Sequence, residues 1–330
     1  MEILDAPGVY NAYNTLDPEK ATFIPGTEDF DSLWTNCYSW IHTELGKTEK
    51  GESLRRDQFG TLLKIPEDEN STYVLLEHPL AGRDSMGGFT FPDPADTNLR
   101  FEKLGKTIAE RYSDRFIDGF IDAGILLTTM MLFGEENFLM KVADNVSFVA
   151  EVYEGVMEYY KGIVLNYKRA GAHMITDIED IGGTAGLLIN PEIWRQYFKP
   201  VLQRFLKFVH EQGMYTSLLI DGNSSQILTD IAEMDIDLFA CVDMHTTGIK
   251  TVQEALKGKT CVKAAVDMQK TLPLGTPEEI AQEARELVEA FHIPLGGFIC
   301  EVVRWYRPSY AMENVLASVD AFNRYRRINR

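Results

Sequence analysis

The second half of the chain alternates between two periodicities. Met174–Asp180, Met214–Asp221, Ile236–Asp243, Cys261–Asp267 and Gly297–Glu301 are short, mostly apolar segments with the length of buried strands. Between them lie stretches with apolar residues near helical spacing. Glu192–Gly213 carries Ile193, Trp194, Tyr197, Phe198, Val201, Leu202, Phe205, Leu206 and Val209 in that pattern and ends on a glycine stop. Ser225–Met234, Thr251–Lys257 and Pro277–Phe291 follow, the last opened by Thr276-Pro277-Glu278-Glu279, which predicts a cap with proline in the first turn. Strands alternating with helices at this spacing predict parallel strands joined by crossover helices. No Gly-x-Gly-x-x-Gly follows any of the strands, so a barrel fits better than a doubly wound sheet.

The first half is less regular. Gln58–Ile65 and Thr72–Glu77 predict a small antiparallel hairpin, and Gly87–Arg100, with two prolines at Pro92 and Pro94, reads as loop. Arg115–Ile121 is a candidate early barrel strand and Val146–Ala170 a long helix. About six barrel strands can be read directly, which puts the missing ones among residues 20–130. The expectation is one α/β domain over residues 1–330, a (β/α)8 TIM barrel. Residues 1–100 form an N-terminal helical and β-hairpin extension packed on it, and 101–330 hold most of the barrel.

Composition narrows the function classes. A chain of 330 residues, 45% hydrophobic and 25% charged, has enough apolar mass for a large core and is not a disordered polymer. A formal charge of −18, from 50 acidic and 32 basic residues, argues against nucleic acid and anionic membranes as partners, since both demand excess Lys and Arg. The most apolar run, Ile125–Phe133, is short and contains Thr128 and Thr129, and the first residues carry no basic leader, so a cytoplasmic protein is expected. The four cysteines show no Cys-x-x-Cys spacing and read as reduced thiols, with Cys241 and Cys300 as small buried hydrophobes.

The chemistry sits at the strand ends. Asp180, Asp221, Asp243, Asp267 and Glu301 each close an apolar segment. One such Asp is ordinarily a helix cap or turn former. Five in succession would converge on the C-terminal rim of a barrel, where barrel active sites are built. Five carboxylates in one cavity need neutralising. Arg304, Lys263, Lys270, a metal or a cationic substrate could each do so. Of six histidines only His245 follows a strand end, directly after Asp243 and Met244. Glu136, Glu151 and His173 have wide spacing, but His173 should begin its strand, at the wrong end of the barrel. Trp305 and Tyr306 beside Arg304 suit an aromatic wall or a packed loop equally. No Gly-x-Ser-x-Gly elbow, phosphate loop or His-Glu-x-x-His is present.

Asp180-Ile181-Gly182, Gly186 to Trp194 and Phe198-Lys199-Pro200 resemble the uroporphyrinogen decarboxylase superfamily. Asp221-Gly222-Asn223 looks like its His-x-Cys-Gly-Asn or His-x-Asp-Gly-Asn strand end. Val266-Asp267-Met268-Gln269 with Gly275-Thr276-Pro277-Glu278-Glu279 is similar to its Ile-Asp-x-Gln…Gly-Thr-Pro-Glu-Glu segment. Gly296-Gly297-Phe298-Ile299 and Glu313-Asn314 match its closing strand and last helix. The likeness covers about residues 57–330. The Arg-Gln-Ala-Gly-Arg-Tyr segment of porphyrinogen decarboxylases is missing. Arg56-Asp57-Gln58-Phe59-Gly60 and Phe133 to Met140 look instead like the branch of corrinoid-dependent methyltransferases, such as methylcobalamin:coenzyme M methyltransferases.

That resemblance implies methyl transfer between a small methylated molecule, of methyl ether or amine type, and a cobalamin carried by a partner corrinoid protein. Asp221, Glu301 and Asp180 are the expected catalytic residues. Arg304, Asp243, His245, Asp267, Asn223, Trp305 and Tyr306 are the expected substrate contacts. Leu219, Asp221 and Arg304 align where zinc-using members place ligands, so no metal is expected at that position, and an Asp221–Arg304 pair is expected to fill it. Glu301, with no evident partner, then becomes the better proton donor. Two alternatives stand beside this reading: metal-independent decarboxylation of an aromatic or tetrapyrrole-like acid, and a non-catalytic subunit that binds a corrinoid protein. The oligomeric state, a homodimer among the options, is left open.

Overall fold

The computed structural model describes residues 32–35, 42–66, 73–121, 123–241, 243–293, 297–301 and 310–326. Seven parallel strands form one curled, half-barrel sheet of the TIM-like α/β class. They are β1 (Ser32–Thr35), β6 (Phe116–Ile121), β7 (Met174–Ile178), β8 (Tyr215–Ile220), β9 (Leu238–Cys241), β10 (Cys261–Ala264) and β11 (Phe298–Cys300), side by side in that order. The five C-terminal strands are therefore those expected, each shorter than its apolar segment. Six strands were legible; the seventh, β1, pairs with β6 in register Ser32 with Phe116 and belongs to the stretch where no period is clear.

Four further strands, β2 (His42–Lys47), β3 (Ser53–Asp57), β4 (Leu62–Ile65) and β5 (Val74–Glu77), make an antiparallel sheet in that order. The expected hairpin is its β4–β5 pair, with Leu63 opposite Leu75. The sheet is tied to the helices beside it. The Leu80 N–H donates to the Leu132 carbonyl at 2.8 Å, His78 Nδ1 lies 2.6 Å from the Met131 carbonyl, and Phe59 meets Tyr159 edge-on at 5.1 Å.

Val146–Ala170 and Pro277–Phe291 are helices with the expected bounds. Two expectations are corrected. The stretch 87–100 is loop only as far as Asp93, whose carboxylate caps a 3-10 turn at Pro94–Thr97. A helix at Asn98–Arg111 follows, held to the core by Phe101, Leu104 and Ile108. The stretch from Glu192 to Gly213 is interrupted by a π-helical turn at Trp194–Phe198 before the α-helix Lys199–Glu211. Pro200 supplies the reason: it has no N–H for the ladder and its ring crowds the preceding turn, so the ladder opens by one residue.

Strand parity divides the sheet into two faces. Ile117, Gly119, Ile175, Leu218, Ile220, Phe239, Val262 and Ala264 lie toward the helices. A Cβ on Gly119 would fall 2.8 Å from the ring of Tyr167 in helix Val146–Ala170. The alternate set, Asp118, Phe120, Thr176, Ile178, Ser217, Leu219, Ala240 and Lys263, occupies the opposite, concave face. Helix Gly124–Phe133 is buried on almost every side, as its apolar sequence requires. No helix among the described residues is long and apolar enough to cross a membrane.

Candidate functional site

Asp180, Asp221, Asp243, Asp267 and Glu301 all follow strand C-termini within three residues. Their environments differ. Asp180 Oδ1 accepts the backbone N–H of Asp221 at 3.3 Å, joining the ends of β7 and β8. Asp221 is exposed, and its Oδ1 takes the N–H of Gly222 at 2.7 Å. The two connections touch through their backbones: a Cβ on Gly182 would lie 2.3 Å from the Asp221 carbonyl, and one on Gly222, at φ +73, 2.4 Å from the Gly182 carbonyl. Only glycines permit that approach.

The next residues do the ordinary work of caps and turns. Asp243 is the N-cap of the short helix Met244–Thr247, accepting from the Thr246 N–H at 3.0 Å and from its hydroxyl. Asn223 Oδ1 accepts from the N–H and hydroxyl of Ser225. Asp267 Oδ1 accepts the amides of Gln269 and Lys270. Gln269 also reaches Asp243 Oδ2 at 3.4 Å, so these two carboxylates share one neighbour. His245 turns away to the buried Glu283, with Nε2 2.9 Å from Oε1, and the same oxygen accepts the Asp267 N–H at 2.7 Å. The bond to Glu283 raises the His245 pKa above its ordinary value. Burial alone would push Glu283 up, but His245, Thr271 and the Asp267 amide outweigh it and hold its carboxyl below the usual range.

Glu301 is corrected. It was expected to lack a partner, but its carboxylate lies 3.5 Å from Lys263 Nζ, with Glu301 2% and Lys263 8% exposed. The Glu301 N–H donates to the Ala264 carbonyl at 3.0 Å, which sets its backbone beside the end of β10. Among the described residues, Lys263 is thus a candidate cation that the fold brings to a strand-end carboxylate. Arg304, Trp305 and Tyr306 lie outside the described residues, and with them the expected Asp221–Arg304 pair. His173 begins β7, as expected, and its Nδ1 accepts the Ile117 N–H. Cys241 is buried and Cys300 half-buried.

Sequence reading missed a second acid pair. Asp177 and Glu179, on the helix-facing side of β7, are 0% and 1% exposed. Asp177 Oδ1 accepts the Ile125 N–H at 3.2 Å. Glu179 Oε1 accepts the Leu126 N–H and the Tyr153 hydroxyl, both at 3.0 Å. Asp177 Oδ2 and Glu179 Oε2 are buried with no hydrogen-bond partner. Burial pushes the Asp177 carboxyl up to about 8, against the opposing bond from the Ile125 amide; burial and then the Asp177 charge raise Glu179 well above the ordinary range. The pair therefore holds a proton at neutral pH. Two acids at period two inside an apolar strand were the available signal.

Residues 56–325 match the family described as uroporphyrinogen decarboxylase (URO-D). No curated protein matches the chain. Among solved structures, a methyltransferase from Methanosarcina mazei is similar with 20% identity and a TM-score of 0.67, over 82% of this chain and 77% of that one. A B12-independent methionine synthase from a Shewanella species is similar with 8% identity and a TM-score of 0.50, over 87% and 76%. At such identities the likeness is one of fold.

Proposed function

Since this chain belongs to the uroporphyrinogen decarboxylase family, we propose that it is a methyltransferase, moving a methyl group between a small methylated ether or amine and a corrinoid carried by a partner protein. The observation that carries this reading is the mouth of the curled sheet, where Asp180 meets Asp221 at the ends of β7 and β8 and the buried Glu301 at the end of β11 meets Lys263. The residues 56–60 and 133–140, similar to the corrinoid branch, support it from sequence, and so does the fold shared with the Methanosarcina mazei methyltransferase. On this reading the sheet is that of a closed (β/α)8 barrel to which β1 contributes, with the antiparallel sheet β2 to β5 as its extension.

The corrinoid, when its carrier docks, supplies the nucleophile or the donor for the methyl group. The chain's own part is orientation, which supplies much of the rate in a transfer needing in-line approach. The Asp180–Asp221 bond fixes the β7 and β8 ends, and Asp221 presents its carboxylate to the mouth. A leaving ether oxygen needs a proton, which the Lys263 ammonium held beside Glu301 can donate to it; a quaternary amine leaves neutral and needs none. Leu219 stands buried on the concave face and carries no donor atom, so this position does not fit zinc and no step runs through a metal.

Purified chain, a reduced corrinoid protein and a panel of methylated ethers and amines should give the absorbance change of corrinoid methylation. No change with a competent carrier overturns the reading. Carbon dioxide release from an aromatic acid without any corrinoid would favour decarboxylation, and tight carrier binding without turnover a docking subunit.

A further inference from the structure

Toward its mouth the concave face carries charge in two layers. Lys263 aligns with Ala240 in β9 and Ile299 in β11, and Ala240 aligns with Leu219 in β8, so these side chains share a level. Leu219 in turn aligns with Ile178 of β7. The level is apolar except for the ammonium. Asp180, Asp221 and Glu301 lie two residues further along than Ile178, Leu219 and Ile299, a rise of about 6.6 Å toward the mouth. One register step deeper, Ser217 Oγ is buried with no hydrogen-bond partner.

Lys263 is under-used where it sits. An ammonium has three donors, yet among the described residues its ionic partner is Glu301 at 3.5 Å, longer than the 2.7–2.9 Å typical of a charge-assisted hydrogen bond. A ligand oxygen would complete the pair.

We infer that the concave face binds a small zwitterion, its carboxylate on the Lys263 ammonium that Glu301 positions and its methylated quaternary ammonium toward Asp180 and Asp221. The charge order fits this class: one cation among the apolar Ile178, Leu219 and Ala240, and at the mouth Asp180 and Asp221 beside Glu301, the carboxylate tied to that cation. A lone anion would have to pass the acidic mouth, and a lone cation would leave the further Lys263 donors unused. The orientation turns N-methyl groups outward. Demethylation of such a nitrogen releases a neutral amine, which agrees with a Glu301 tied to Lys263 rather than free as an acid. That the zwitterion is the methyl donor rests on the methyl-transfer reading; its binding does not.

The test is equilibrium binding by calorimetry on the full chain, without any corrinoid protein. The probes are trimethylglycine and 3-(trimethylammonio)propanoate, beside 3,3-dimethylbutanoate, which lacks the cation, and choline, which lacks the carboxylate. At least one zwitterion should bind tenfold or more tightly than both controls. Lys263→Met combined with Glu301→Gln removes both buried charges together, so the fold should persist by circular dichroism while the preference over choline disappears. Asp221→Asn should reduce the preference over 3,3-dimethylbutanoate. The inference is overturned if neither zwitterion binds, if choline binds as well, or if the folded double variant keeps the wild-type preference. Binding without methyl transfer would sink the functional reading alone; transfer from an ether with no zwitterion binding would sink this inference alone.

Discussion

Asp177 and Glu179, two residues apart on β7, each accept one backbone amide from the first turn of helix Gly124–Phe133, at Ile125 and Leu126. Two buried acids thereby anchor the helix N-terminus to the strand whose end carries Asp180. The helix begins at Gly124, φ +50, where a Cβ would fall 2.0 Å from the Ile178 carbonyl. The mouth of the sheet is braced from behind by this close approach, and burial favours a proton on the acid pair.

That proton makes stability depend on pH. Asp177 titrates at about 8 in the folded chain and near its ordinary 3.8 when unfolded. Between these values the folded state holds a proton that the unfolded state has lost, so stability falls as pH rises and levels off above the folded value. Asp177→Asn should flatten the slope by up to about 1.4 kcal/mol per pH unit, one proton's worth. Urea unfolding from pH 5 to 9 measures it, and an unaltered slope would show that Asp177 is not the group responsible.

Glu283 should matter through two bonds at once. Glu283→Gln weakens the tie to His245 and to the Asp267 amide, and should cost about 1–3 kcal/mol of unfolding free energy. The raised His245 pKa contributes stability below its ordinary 6.5 and loses it as pH rises through the folded value. Proton NMR should find the His245 midpoint above 6.5, and lower in the variant.

Gly182→Ala forces a methyl into the Asp221 carbonyl. It should cost about 1–3 kcal/mol and displace the Asp221 strand end. Thermal unfolding and methyl-transfer rate should fall together, whereas Gly213→Ala, with nothing within 4 Å of its Cβ but φ +74, should affect stability alone.

Thr276 and Glu279 close a reciprocal capping box on helix Pro277–Phe291. Thr276→Ala should cost about 1 kcal/mol in urea unfolding and leave ligand binding unchanged.

The sequence by itself determined the elements with one dominant period. β7 to β11 and the helices Val146–Ala170 and Pro277–Phe291 follow from apolar spacing, and the carboxylates at their ends from position alone. It could not separate those carboxylates, because a cap and a site residue look the same until their partners are known. Asp243, Asn223 and Asp267 spend acceptor atoms on nearby groups, while Asp180 braces Asp221. β1, the helix at Asn98–Arg111 and the π turn before Pro200 have weak or interrupted periods and were set by packing. Only tertiary structure decided that Lys263 meets Glu301, and that Asp177 and Glu179 share a helix terminus. These partners lie 38 residues apart in the first case and more than 50 in the second, and no local pattern encodes a contact across that distance.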